Sequence, residues 1–249
     1  FFGRELKSYS IHNLWIPDGL KDRPANRWSY RQWLFDSLEE IFETEYSQTQ
    51  LKDSLESKLF GLGTEAYVVG SHEFYLAYAL QKGKMVCLDL GHFHPTESIA
   101  DKISAIMTGG GELLLHLSRG VRWDSDHVVL LNDEIEAVCE EIVAVPDQEK
   151  IHLALDYFDA SMNRVGAWVL GARAVEQGLL QALLLPGKKL EEAELQGDNL
   201  SKLYWRQYVR DLPLAAVWDY YCLMMDVPLE SEWLGKIKEY EKNVLSRRN

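Results

Sequence analysis

Val86-Cys-Leu-Asp-Leu-Gly-His-Phe-His94 reads as a short apolar strand that ends in a carboxylate, a glycine and two imidazoles. An apolar run of this length, bounded by a glycine turn, is the pattern of a strand buried on both faces, as in a parallel sheet. Asp89, His92 and His94 then arrive together. A carboxylate and an imidazole at the C-terminal end of a buried strand are a usual start for a metal site. The fold depends on whether the rest of the chain repeats this strand.

It does. Residues 11–16 form a first strand, closed by the turn signal Pro17-Asp18-Gly19. A helix follows from Ser29, taken as its cap, to about Glu45, with Trp33, Leu34, Leu38, Ile41 and Phe42 at helical spacing. Residues 51–58 are polar at alternate positions and Leu59-Phe-Gly-Leu-Gly63 is apolar, so propensity alone puts the second strand on residues 59–62. A helix is expected over residues 71–80, the opening strand over 85–90, and another helix from Pro95-Thr96 to about Met107. Gly109-Gly-Gly111 precedes a strand and opens no helix, so it reads as a loop and not as a phosphate cradle. Residues 112–118 are a buried strand containing His116, and residues 119–127 a polar loop. A helix then runs to about Val143, residues 150–156 form the fifth strand, and Ser161 caps a long helix ending before Pro186. Five strands, each followed by a helix, are the signature of a parallel α/β fold with helices outside.

The pattern changes after Pro186. Residues 188–249 hold only helical stretches, the last from Ser231 to about Arg247 with Trp233, Leu234, Ile237, Tyr240, Val244 and Leu245 on one stripe. Trp205, Trp218, Tyr220 and Tyr221 make this tail a packing surface. The expected organisation is residues 1–186 as the strand–helix domain and 187–249 as a helical extension for packing or oligomerisation.

With 249 residues, 47% apolar and 26% charged, the chain has the balance of one large globular domain or two small ones. A net charge of −13 argues against nucleic acid and anionic membrane surfaces, which attract basic patches. No apolar run has the length of a membrane span. Cys87, Cys139 and Cys222 are odd in number, widely spaced and set among apolar residues. They read as reduced core thiols, hence a cytoplasmic protein. The chain opens on Phe1-Phe2 and not on Met, so a targeting segment stays open.

Chemistry gathers at the strand ends. Asp89 and His92 close one strand, His116 lies near the end of the next, Asp124 and Asp126 sit in the loop after it, and Asp156 ends the fifth. Glu56 and Lys58 are two apart, so on a strand they share a face. In a barrel these ends converge on one rim. So many carboxylates cannot share a desolvated pocket without cations, and two divalent metals are the simplest answer. Mixed carboxylate and imidazole ligands suit Mn2+, Mg2+, Co2+ or Zn2+.

Each residue also has a plainer reading. Asp156 alone reads as a helix cap or turn residue. His116 in an apolar run reads as a satisfied core histidine. Asp124 and Asp126 read as caps of the next helix, and Glu56 with Lys58 as a surface ion pair. The plain readings fail jointly, because polar residues recur at four successive strand ends.

The segments Glu56-Ser-Lys58, Cys87-Leu-Asp-Leu-Gly-His-Phe-His-Pro-Thr-Glu97, Leu114-Leu-His-Leu-Ser-Arg119, Val121-Arg-Trp-Asp-Ser-Asp-His127 and Leu155-Asp-Tyr-Phe-Asp-Ala-Ser161 closely resemble the L-rhamnose isomerase family. So do Leu14-Trp-Ile-Pro-Asp-Gly19 and Ser231-Glu-Trp-Leu234. The resemblance implies a (β/α)8 TIM barrel, here its last five βα units plus a helical tail, and a homotetramer. It moves the second strand so that Glu56 and Lys58 point inward. It implies a metal-dependent aldose–ketose isomerase that interconverts L-rhamnose and L-rhamnulose by a two-metal hydride shift, with Mn2+ first among the metals. Glu56, Asp89, His116 and Asp156 would hold the structural metal; His92, Asp124 and Asp126 the catalytic one, with Asp89 bridging. Lys58, Asp124, Asp126 and Asp156 form the implied catalytic set. In it Lys58 polarises the carbonyl oxygen, and Asp126 orients or deprotonates a metal-bound water. Trp15, Lys58 and His92 would meet the sugar, Trp15 as an apolar wall. His94, before Pro95, becomes support and not a ligand.

The family's barrel has eight strands and this chain shows five. An open parallel sheet has a long unpaired edge, so the chain alone is expected to fold poorly and not to turn over sugar. Two other readings stand beside the isomerase. One is a barrel metallohydrolase, prompted by the His-x-His of His92 and His94 and disfavoured by the later carboxylates. The other is a non-catalytic truncated barrel that serves only assembly.

Overall fold

The computed structural model describes residue 5 and residues 7–16, 24–58, 71–121, 126–229 and 231–248. Two compact units result: residues 1–127 with 145–158, and residues 128–144 with 159–249.

The first unit is built on five parallel strands in sequential order: β1 (Ser10–Leu14), β2 (Leu51–Glu56), β3 (Met85–Asp89), β4 (Leu113–Leu117) and β5 (Ile151–Leu155). Every residue of β3 and β4 is buried, as their continuous apolar sequence requires of a sheet covered on both faces. β2 differs. Its sequence, Leu-Lys-Asp-Ser-Leu-Glu, is polar, and burial begins only at Ser54. Its place is set by register: Asn13 faces Ser54, and Glu56 faces Cys87. The strand therefore lies at residues 51–56, as the family resemblance required. Residues 59–62, favoured by propensity, lie outside the described residues, as does the turn at 17–19.

Alternation along parallel strands puts Tyr9, Lys52, Glu112 and His152 on the sheet face that also carries Asn13, Glu56, Asp89 and His116. Tyr9 Oη lies 3.1 Å from His152 Nδ1, with the rings 5.5 Å apart edge to face. Five flat strands would separate β1 from β5 by about 19 Å. Contact between side chains at the two ends of the sheet means that it curls strongly around that face. The arrangement is consistent with part of an α/β barrel.

Three helices of this unit are α1 (Arg27–Ile41), α2 (His72–Lys82) and α3 (Ala100–Thr108). α1 buries Leu34 and Leu38. Tyr78 of α2 donates to Glu39 of α1 at 2.7 Å, and Lys82 pairs with the same carboxylate at 2.7 Å. α2 stops at Gly83, whose φ of +62° only glycine adopts cheaply. α1 begins two residues before the expected cap. Asn26, not Ser29, is the N-cap, its side chain accepting from the Ser29 amide at 3.3 Å. α3 starts at Ala100, later than Pro95-Thr96 suggested.

The second unit is helical: α4 (Asp133–Ala144), α5 (Arg164–Leu183), α6 (Gly187–Leu195), α7 (Asn199–Arg210), α8 (Leu214–Met224) and α9 (Glu232–Asn243). Asn163, not Ser161, caps α5, accepting from the Val165 amide at 2.9 Å. α5 buries a stripe of small residues, Ala167, Gly171, Ala174, Gly178 and Ala182. α4 lies so close that a Cβ at Gly178 would come within 2.8 Å of Cys139 Sγ. α4 buries Ile135, Val138, Cys139 and Ile142. Arg210 of α7 pairs with Asp133 and Glu136 of α4 at 2.6 and 2.5 Å. α9 buries no residue, and Leu200, Leu203 and Tyr204 on α7 are exposed. Among the described residues no helix is long and apolar enough to cross a membrane.

Candidate metal centre

The C-terminal ends of the strands carry the chemistry. Glu56 is the last residue of β2, Asp89 the last of β3, His116 the fourth of β4, and Asp156 follows β5. Register sets Asp89 beside His116. Glu56 is 2% exposed, Asp89 1% and His116 8%. Charge at this depth needs partners or cations.

Two ligand groups result. Glu56, Asp89, His116 and Asp156 bring one donor atom each to within 4.8 Å of one another; so do Asp89, His92 and Asp126. Asp89 belongs to both. His116 Nδ1 lies 2.9 Å from Asp156 Oδ2 and 3.5 Å from both Glu56 Oε2 and Asp89 Oδ2. His92 Nδ1 lies 2.8 Å from Glu56 Oε1, and its Nε2 lies 3.7 Å from Asp126 Oδ2. These are ion-pair distances without hydrogen-bond alignment: Glu56 Oε1, Asp89 Oδ2, His92 Nδ1 and His116 Nδ1 are all buried with no hydrogen-bond partner. Four such atoms converging from three strands and a turn fit divalent cations held by oxygen and nitrogen donors.

The electrostatics show the strain of sharing. Burial pushes Asp89 up, His116 and His92 only partly offset this, and its carboxyl sits at about 6. Burial also acts upward on Glu56, but His116 and His92 outweigh it and hold Glu56 far below the ordinary carboxylate range. Burial pulls His92 down, yet contacts with Asp126 and Glu56 raise it to about 10. His116 is raised further, by Asp156 and then Asp89 against burial. Without metal, protons on the imidazoles do the neutralising.

Several plain readings of single residues lose their ground. The helix after the 119–127 loop starts at Asp133, and Asn132 accepts from the Ile135 amide at 3.0 Å, so Asp126 caps nothing there. Asn163, not Asp156, caps the helix that follows β5. Glu56 and Lys58 are buried, Lys58 to 6%, not a surface pair. Lys58 acts on the cluster by charge, helping His92 to hold Asp126 low against burial. His94 Nδ1 lies 2.6 Å from Thr96 Oγ1 and accepts from the Thr96 amide at 3.1 Å, which makes it a turn residue. Trp15 follows β1 and is 45% exposed. Asp124 lies outside the described residues.

Four neighbours were not singled out by sequence. Asn13 donates to Glu56 Oε2. Ser118 Oγ lies 3.4 Å from both Asp89 Oδ1 and Asp126 Oδ1. The Gly91 amide donates to Asp89 Oδ1 at 2.7 Å, and Gly91 has no room for a side chain: a Cβ would fall 1.9 Å from Asp126 Oδ1. Cys87 joins Glu56 and His116 in a third donor group. Alternation carried a signal for two of them: Cys87 stands two before Asp89, and Ser118 two after His116.

A family model described as L-rhamnose isomerase matches residues 1–248. The chain belongs to the L-rhamnose isomerase family. Among its curated relatives, the L-rhamnose isomerase of Rhodopirellula baltica is 52% identical over 239 residues, 96% of this chain and 56% of the relative. The L-rhamnose isomerases of Yersinia pestis strain Pestoides F and of Yersinia pseudotuberculosis serotype O:1b are each 48% identical over 248 residues, covering 100% of this chain and 59% of the relative. The chain thus spans somewhat over half the length of the L-rhamnose isomerases it matches. The strand ends that carry the candidate metal ligands all fall within the matched span.

Proposed function

We propose that this chain carries the two-metal centre of an isomerase that interconverts L-rhamnose and L-rhamnulose. The observation that supports it most is the pair of donor groups sharing the buried Asp89. Glu56, Asp89, His116 and Asp156 would hold a structural ion; His92, Asp124 and Asp126, with Asp89 between, a catalytic one. Divalent ions there, Mn2+ first and Zn2+, Co2+ or Mg2+ as alternatives, supply Lewis acidity toward adjacent sugar oxygens.

The reaction is internally balanced. A hydride passes from C2 to C1, O2 loses a proton and O1 gains one, so no outside reductant enters. Lys58, buried two residues past the end of β2, is the donor for the carbonyl oxygen. Asp126, partly open to solvent, takes and returns the proton. His92 orients the sugar between Glu56 and Asp126, and Trp15 covers the sugar's apolar side and excludes water. On this reading residues 1–186 are five βα units of an eight-stranded barrel, and the exposed apolar positions of α7 and α8 pack between subunits of a cytoplasmic homotetramer.

The test is a fusion of this chain to the N-terminal remainder of the Rhodopirellula baltica relative. Rhamnulose should form with Mn2+ and stop with a chelator or with Asp89→Asn. A folded fusion that binds Mn2+ yet forms no ketose would sink the isomerase reading.

A further inference from the structure

We infer that Cys87 makes the floor of this centre a second kind of metal site, one for a strongly thiophilic divalent ion such as Cd2+, held by Glu56, Cys87 and His116. The inference rests on reading Glu56 and His116 as ligands. Cys87 stands two residues before Asp89 on β3, so it occupies the same sheet face one layer below. Register sets it directly beside Glu56. It is 1% exposed. Its sulfur and one donor atom each from Glu56 and His116 lie within 4.8 Å of one another. Glu56 Oε1 and His116 Nδ1 are buried with no hydrogen-bond partner, so both neighbours have donor capacity to give.

Tetrahedral ligands at ordinary Zn–S and Zn–N distances stand about 3.5 Å apart, so closing on an ion takes side-chain shifts on the order of 1 Å. A bound ion displaces the thiol proton, which leaves to solvent. The carboxylate-rich layer above favours hard ions; one sulfur below adds affinity for soft ones. A thiophilic ion seated here takes Glu56 and His116 away from the upper layer. It would therefore act as an inhibitor that competes with Mn2+, and Cys87 would be a specificity-determining residue.

The fusion that completes the barrel is titrated with Co2+, followed by absorption, and with Cd2+, followed by calorimetry, alongside Cys87→Ser and Cys87→Ala in the same fusion. The wild type should show a sulfur-to-cobalt charge-transfer band that both variants lose. Cd2+ affinity should fall roughly 10–100-fold in the variants while Mn2+ affinity stays within about twofold. No band in the wild type overturns the inference; so does a band that persists in the variants, since Cys139 or Cys222 would then be its source. Paramagnetic resonance of Mn2+ separates the two readings. Bound Mn2+ without the band removes the Cys87 site alone. The band without bound Mn2+ leaves the Cys87 site and removes the two-metal isomerase reading. Neither signal removes both.

Discussion

Gly91→Ala isolates one half of the metal centre. The added methyl would sit 1.9 Å from Asp126 Oδ1 and 3.3 Å from Asp89 Oδ1. Ordinary contact requires the Asp126 carboxylate to retreat by roughly 1.5 Å. It is free to do so: Asp126 is partly exposed, and its link to Ser118 is a long 3.4 Å. Folding should therefore be little affected. Metal binding should not be, because a ligand displaced by more than 1 Å no longer meets an ion held by Asp89 and His92. Losing the placement of one ligand costs roughly 10–100-fold in affinity, about 1.4 to 2.7 kcal/mol. The group formed by Glu56, Asp89, His116 and Asp156 meets the methyl only at Asp89 Oδ1, 3.3 Å away, which needs to give by no more than a few tenths of an ångström, so this group keeps its ion. Mn2+ titration by paramagnetic resonance should give two sites in the wild type. The variant should keep one of them and show the other weakened by that factor, with unchanged circular dichroism and melting temperature. Two full-affinity sites in Gly91→Ala would refute the assignment of Asp126 as a ligand; loss of both sites in a folded variant would refute the division into two groups.

Asp89→Asn removes the carboxylate common to both groups, so both Mn2+ sites should weaken together, by at least tenfold each; loss of only one would mean that Asp89 does not bridge. pH provides a second handle. His92 is raised from 6.5 to about 10, so its proton stabilises the metal-free chain fully below pH 6.5, and that stability is lost as pH rises toward 10. Asp89, raised from 3.8 to about 6, gives the same sense in the lower window. Mn2+ must displace these protons, so its affinity should climb with pH between 6.5 and 10; an affinity flat over that range contradicts the role given to His92. In the helical unit, Gly178→Val would overpack the α4–α5 contact, where a Cβ already falls 2.8 Å from Cys139 Sγ. Urea unfolding should show a loss of about 1–3 kcal/mol, and a neutral result would mean that the two helices part easily.

The parts of the fold legible in sequence are those where one physical demand acts alone. β3 and β4 are buried on both faces, so continuous apolar runs mark them without reference to any neighbour. β2 is different in kind. Its lysine and aspartate make poor local strand material, and Leu59-Phe-Gly-Leu-Gly63 offered better. What places β2 is pairing with β1 and β3, information that lies more than thirty residues away on either side and is carried by register, not composition. The caps failed for a narrower reason. Asn26 and Ser29, or Ser161 and Asn163, are equally able acceptors a few residues apart, and which one wins depends on where packing starts the helix. The metal centre shows the same division. Carboxylates and imidazoles at strand ends announce themselves because their burial needs explaining. Ser118, Asn13 and Gly91 do not, since a small polar residue or a glycine fits almost anywhere. Their roles exist only through approach distances. Gly91 makes the point most sharply. In the sequence it closes the Val86–Leu90 run as an ordinary turn. In the folded chain it is the vacancy that lets Asp89 and Asp126, 37 residues apart in sequence, lie against the same turn. A centre that needs two carboxylates close together needs an absent side chain between them as much as the carboxylates themselves.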